Sequence, residues 1–215
     1  MPKATKARLD RAGLTGLGLD KLVEILLDEA AVSKALKSRL QAALAGGTGV
    51  DEVTRLIDQK LDSYQKAQTY LSPTRANTLS LELRGLLRMI TAELAALDNY
   101  TAFERLARFL VVGTFIENRA RKGGAKLAKL LDDARESLAD IVLKLGAGDQ
   151  VKSVALLEKT RAADEEGKSQ AVLLKILCGM EKPAADAWKA LLTSRLVPST
   201  ERSAQWKNAE LLVFL

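Results

Sequence analysis

Along most of the chain, apolar residues recur every three or four positions, the spacing that lines one face of an α-helix. Leu22, Ile25 and Leu26 share a face behind Asp20, which is placed to cap a helix. Ser33 is placed to cap the next, with Leu36, Leu40, Ala43 and Leu44 apolar and Gly46-Gly47-Thr48-Gly49 as its stop. A third helix is expected from Val50 to Leu71 on Val50, Val53, Ile57, Leu61 and Tyr64. Ser72-Pro73 breaks it, and proline suits the first turn of the helix after it.

The fourth helix carries the clearest stripe: Leu79, Leu83, Leu86, Leu87, Ile90, Leu94 and Leu97. Gly85 lies inside it at a cost of about 1 kcal/mol against alanine. It is either a tolerated weak spot or a gap through which a neighbouring helix comes close. Asn99 is placed to cap a fifth helix with Phe103, Leu106, Phe109, Leu110 and Phe115. The sixth carries Leu127, Leu131, Ala134, Leu138, Ile141 and Leu145, and Gly146 and Gly148 end it. That seam is too short for a sustained coiled coil and reads as a packed bundle helix. Shorter helices are expected near 150–162, 168–178, 183–195 and 200–213, punctuated by Gly167, Gly179, Pro183 and Pro198. No segment alternates as a strand does.

The pattern therefore predicts an all-α fold of about ten helices in antiparallel pairs, as a helical bundle or a short α-solenoid-like array. The expected organisation is a flexible basic tail over 1–18, a main helical domain over 19–148 and a C-terminal helical extension over 149–215 packed on it. Composition agrees with the class. At 47% apolar and 28% charged the chain is globular, and at 4% aromatic it is poor in strand formers. No apolar run approaches the ~20 residues of a membrane span, and no apolar stretch comes after the basic start as a secretory signal requires.

Chemistry is narrowed by what is missing. There is no histidine, which removes Ser-His-Asp and Cys-His nucleophiles, His-containing zinc sites and His-held haem. The single cysteine, Cys178, excludes an internal disulfide and multi-cysteine metal sites. It ends the run Leu-Leu-Lys-Ile-Leu-Cys and reads as a small core residue in a reducing, cytoplasmic setting. The acidic groups Asp51-Glu52, Asp132-Asp133 and Asp164-Glu165-Glu166 each have an ordinary explanation. The first meets a helix dipole, the second diverges by ~100° per residue on a helix, and the third sits in a loop. No cofactor and no small-molecule substrate is implied.

The net charge of +6 is spread out: +3 over residues 1–50, −1 over 51–100, +2 over 101–150 and +2 over 151–215. Its densest point is the turn Arg119-Ala-Arg121-Lys122-Gly123-Gly124-Ala-Lys126, with Lys129 one turn further on. It stands before a helix N-terminus, where free N–H groups favour anions. Arg119, Arg121, Lys122, Lys126 and Lys129 are thus candidate contacts to a phosphate or an acidic partner, against the plainer reading of a solvated loop. Trp188 and Trp206 are candidates for core packing or for partner anchors. The run Leu211-Leu212-Val213-Phe214-Leu215, with Trp206 before it, is a candidate protein interface, since five consecutive apolar residues call for cover.

The segment Leu17-Gly18-Leu19-Asp20-Lys21-Leu22-Val23-Glu24-Ile25-Leu26-Leu27, together with Lys34-Ala35-Leu36-Lys37-Ser38-Arg39-Leu40, resembles the opening of a bacterial all-helical family of unknown function. The resemblance extends over residues 17–145. It implies a helical-repeat-like scaffold that binds rather than catalyses, and it brings no catalytic residue. The expected function is a non-enzymatic scaffold for protein–protein interaction or self-association, within a larger complex. The alternative is an accessory nucleic-acid binder using the 119–129 cluster and Lys3, Lys6, Arg8 and Arg11 of the tail.

Overall fold

A computed structural model of the chain describes residues 9–33, 36, 37, 40, 41, 43, 44, 47, 49–67, 69–120, 124–164 and 166–194. Among these lie nine helices and no strand, so the fold is all-α. They are α1 (Arg11–Gly16), α2 (Leu19–Val32), α3 (Val50–Lys66), α4 (Pro73–Arg88), α5 (Asn99–Arg119), α6 (Ala125–Val142), α7 (Ala147–Ala162), α8 (Gln170–Gly179) and α9 (Lys182–Ser194). The rod of α4 continues through a π-helical stretch, Met89–Leu94, and a last turn, Ala95–Leu97. Leu36, Lys37, Leu40, Gln41, Ala43 and Leu44 are also helical. Ser33 caps that turn, its Oγ accepting from the Leu36 N–H at 3.3 Å. The helix expected near 200–213 lies outside the described residues.

The chain forms two compact units, residues 1–41 and 42–215. The boundaries expected after residues 18 and 148 do not coincide with this division. In the first unit, residues 11–16, expected within a flexible tail, form α1. Asp10 supplies the cap, its Oδ1 accepting from the Gly13 N–H at 2.8 Å. Asp20 lies in the first turn of α2 rather than at its cap. Gly18 holds the cap position at φ +78°, a left-handed conformation that glycine adopts without steric cost.

The second unit is built of hairpins. Tyr64 meets Glu82, and Gly113 packs on Leu131, so α3 lies antiparallel to α4 and α5 to α6. Alternate helices run parallel. Asp58 of α3 meets Arg105 and Arg108 of α5, while Thr69, further along, meets Arg119. Tyr100 lies beside Lys152 and Glu117 beside Lys168, which sets α7 parallel to α5. Gln150 meets Glu181 and Glu158 meets Trp188, which sets α9 parallel to α7. Arg135 meets Ser169 and Leu143 packs on Gly179, so α8 runs alongside α6. Helices α3, α5, α7 and α9 thus form one layer of neighbours, and α4, α6 and α8 a second.

One continuous core fills the space between them. It takes Leu83, Leu86, Ile90 and Leu94 from the α4 rod, Phe103, Leu106, Phe109 and Ile116 from α5, and Leu127, Leu131 and Leu138 from α6. Leu157, Ile176 and Trp188 extend it through α7, α8 and α9. Each such side chain contributes about 1.5–3 kcal/mol by leaving water, which is why the expected stripes of the fourth and sixth helices face inward, apart from half-buried Leu79 and exposed Leu97.

Several local expectations are corrected. Helix α3 ends at Lys66, because Ala67 is extended and the chain must reach the extended Ser72 that precedes Pro73. The cap of α5 is Asp98, not Asn99: its Oδ1 accepts from the N–H groups of Tyr100 at 2.8 Å and Thr101 at 3.0 Å. Gly85 admits no neighbour, since nothing lies within 4 Å of where its Cβ would stand. Close approach occurs instead at Gly113, where a Cβ would overlap the Leu131 side chain, and at Gly179, where it would lie 2.7 Å from Leu143 Cδ2. Cys178 is exposed rather than in the core. Val172, Leu173, Ile176 and Leu177 make the buried face of α8, and the next position turns ~100° off it.

Candidate interaction surfaces

Most polar groups in the second unit have structural work. Gln150 spends its whole amide: Nε2 donates to the Val142 and Leu145 carbonyls at 3.5 and 3.2 Å, and Oε1 accepts from the Glu181 N–H at 2.8 Å. Glu158, fully buried, accepts from Arg161 at 2.8 and 2.6 Å and from Trp188 Nε1–H at 3.4 Å. Trp188 is thereby a core residue with its polar edge satisfied. Buried Arg135 donates to Asp132 at 2.7 Å and to Ser169 Oγ at 3.2 Å.

The acidic groups singled out from the sequence do not form a site. Asp51 and Glu52 occupy the first turn of α3, and Glu52 binds Arg55 in an exposed pair. That hydrogen bond holds the Glu52 carboxyl below its ordinary value. Asp132 pairs with Arg135, and Asp133 is exposed. Asp164 is buried and accepts from the Ser169 N–H at 2.5 Å, which closes the turn into α8. Glu166 pairs with Lys168, and Glu165 lies outside the described residues. No three acidic or cysteine side chains converge among the described residues.

Among the clefts that open on the unit, two are lined by ionisable side chains. One, of about 230 Å³, is lined by Tyr64, Leu71, Arg75, Leu79, Glu82 and Arg119. Tyr64 donates to Glu82 Oε2 at 3.2 Å there. Burial first, and then the negative charge of Glu82, push the phenol well above its ordinary value, so it stays protonated. The other, of about 360 Å³, is lined in part by Asp58, Glu104, Arg105, Arg108 and Lys159. Its charges neutralise one another: Arg105 binds Asp58 at 3.1 Å and Glu104 at 2.8 Å, and Arg108 binds Asp58 at 3.1 Å and also Asp62.

The basic turn is split by the structure. Arg119 donates from Nε to the Thr69 carbonyl at 3.0 Å, and from Nη2 to the same oxygen. Its guanidinium also stands 5.4 Å over the Phe115 ring. It therefore ties the α3–α4 connection to the end of α5. Lys126 and Lys129 lie in the first turns of α6, and both are exposed. Arg121 and Lys122 lie outside the described residues, as do Lys3, Lys6, Arg8, Trp206 and Leu211, Leu212, Val213, Phe214 and Leu215.

Two further surfaces are exposed; the first takes in Leu26, which the spacing placed on a face with Leu22 and Ile25. On α2, Leu19, Val23, Leu26 and Leu27 share one face at spacings of four, three and one, and all four are exposed; Ala30 is the buried residue of that helix. On α4, Thr74, Thr78, Leu81, Arg84 and Arg88 share an outer face and are exposed, with Gly85 between the last two. The signal was legible. No acidic residue stands three or four positions from Arg75, Arg84 or Arg88, so none has a helical ion-pair partner.

The described residues are all-α, and in the second unit helical hairpins pack side by side with buried Arg135 and Glu158 each paired to a charged neighbour. The chain belongs to DUF6880, a family of unknown function, whose family model matches residues 4–212. That match runs well past the 17–145 span of the resemblance carried by the opening helices. No curated protein and no solved structure matches the chain. Among the described residues, no helix is long and apolar enough to cross a membrane.

Proposed function

We propose that this protein is a non-enzymatic helical scaffold that binds another protein within a larger assembly, and that its hairpins are a short solenoid-like, helical-repeat array. The observation that carries the reading is the α2 face: Leu27 is 63% exposed and Leu19 76%. Grouped apolar side chains left in water mark surfaces that another macromolecule covers. Layered stacking supports the array, since solenoids place alternate helices in two parallel layers. A non-catalytic role is supported by the ion pairs, which engage carboxylates such as Asp58, Asp62, Glu104 and Glu158.

Photo-crosslinking from position 27 in cells tests this. A discrete adduct to another protein, lost in the Val23→Glu variant, is expected. Adducts only within the same chain, or adducts indifferent to Val23→Glu, overturn the reading.

A further inference from the structure

Most of the described arginines in the second unit are paired. Within residues 42–194, Arg55, Arg105, Arg108, Arg119, Arg135 and Arg161 each hold a carboxylate, a carbonyl or a hydroxyl. The other described arginines of that span are Arg75, Arg84 and Arg88. All three lie on α4, all are exposed, and none has a partner among the described residues. Three uncompensated charges on one helix is a local departure from the pairing found elsewhere in the unit.

Leu81, Arg84, Gly85 and Arg88 fall at i, i+3, i+4 and i+7, so they share one face of α4. Leu81 is 62% exposed, an apolar knob with no cover. Beside it Gly85 has open space where a side chain would stand. A gap next to a knob lets an incoming helix pack closely, and helix–helix recognition reads anchors at this spacing. The flanking guanidiniums are suited to carboxylates, which they grip in a bidentate fork.

We propose that the outer face of α4 docks an acidic amphipathic helix of a partner protein. The helix seats an apolar side chain against Leu81 and over Gly85, and its Asp or Glu residues pair with Arg84 and Arg88. A nucleic-acid phosphate would satisfy the arginines and leave Leu81 in water. The face also carries no aromatic side chain on which a base would stack. The proposal shares with the α2 reading only the premise that the chain is a docking module; the surface is a different one.

The probe is a labelled synthetic helix of about three heptads with Leu at a and d and Glu at e and g. Its control carries Lys in place of each Glu, and a second probe is a duplex oligonucleotide. Anisotropy is read at physiological salt with the full chain. The acidic helix is expected to bind and the lysine helix not to. Arg84→Glu combined with Arg88→Glu weakens binding roughly tenfold or more. Gly85→Gln, which improves helix propensity while filling the gap, weakens it by about threefold. Far-UV circular dichroism checks that each variant is folded. The Val23→Glu variant of α2 keeps full affinity for the probe, which separates failure here from failure of the scaffold reading. Equal binding of both helices, tighter binding of the duplex, binding indifferent to the charge reversal, or no binding at all each overturns the proposal.

Discussion

Helices α2 and α6 carry the same kind of sequence, apolar residues at three- and four-residue spacing with charges between. Their fates differ. In α6, Leu127, Leu130, Leu131, Ala134, Leu138, Ala139, Ile141 and Val142 are all buried. In α2, Ala30 is the buried residue, and Leu19, Val23, Leu26 and Leu27 are exposed. Periodicity names the face a helix would bury; it does not name what buries it. For α6 the cover is α4, α5 and α8. For α2 it is the proposed partner protein.

The largest test of this contrast is a truncation inside α6. Leu131 is fully buried against Gly113. Leu131→Ala removes its packing and leaves a cavity, at an expected cost of about 2–5 kcal/mol, read from urea unfolding monitored by circular dichroism. A cost below about 1 kcal/mol would mean that α6 is no better covered than α2.

Two glycines sharpen the comparison by sign. At Gly113 a methyl group overlaps the side chain of Leu131, which is fully buried. Overpacking of this kind costs about 1–3 kcal/mol, and the gain in helix propensity returns about 1 kcal/mol. Gly113→Ala is therefore expected to destabilise by up to about 2 kcal/mol. Gly85→Ala meets open space and is expected to stabilise by about 0.5–1 kcal/mol. The same substitution thus moves the urea midpoint in opposite directions on two helices of one unit. Midpoints shifting the same way would erase the distinction between a covered and an open face.

The Asp98 cap of α5 is the next smaller effect. Asp98→Ala is expected to cost about 1 kcal/mol. The N–H of Thr101, ahead of its hydroxyl and the N–H of Tyr100, holds the carboxyl below its ordinary range, against a smaller opposing effect of burial. A carboxylate depressed on folding stabilises the protein above its unfolded value, near pH 4, and that contribution fades as pH falls through the lower folded value. Asp98→Asn keeps a cap without the titration. Its stability relative to wild type is expected to rise as pH drops below about 4, and a flat difference across that range would sink the charge argument.

Legibility in the sequence divides along the same line between covered and open faces. The stripes of α4 and α6 were readable because one face meets a single continuous core. Their residues Leu83, Leu86, Ile90, Leu131 and Leu138 are buried as the spacing requires. Caps were readable to within a residue or two, since Asp98 and Asn99 are both good caps and only hydrogen-bond geometry separates them. Gly85 and Gly113 could not be told apart, because each lies mid-helix and the difference is what stands opposite. The fate of Arg119 was not readable either. Its partner, the Thr69 carbonyl, is fifty positions away in sequence. By contrast, the unpaired state of Arg84 and Arg88 was written locally, in the absence of an acid one turn away.

The smallest expected effect is the most direct test of the contrast. Leu27 sits on the exposed face of α2, so Leu27→Ala removes little buried area and opens no cavity. Alanine also has the better helix propensity, by a few tenths of a kcal/mol. The isolated chain should therefore unfold within about ±0.5 kcal/mol of wild type. That is at most a quarter of the smallest cost expected for the same truncation at Leu131. A loss of about 2 kcal/mol or more at Leu27 in a monomeric sample would show that the chain covers this face itself, and the α2 surface would then join the core. A loss that grows with protein concentration would instead show cover by a second copy, since only association makes stability depend on concentration.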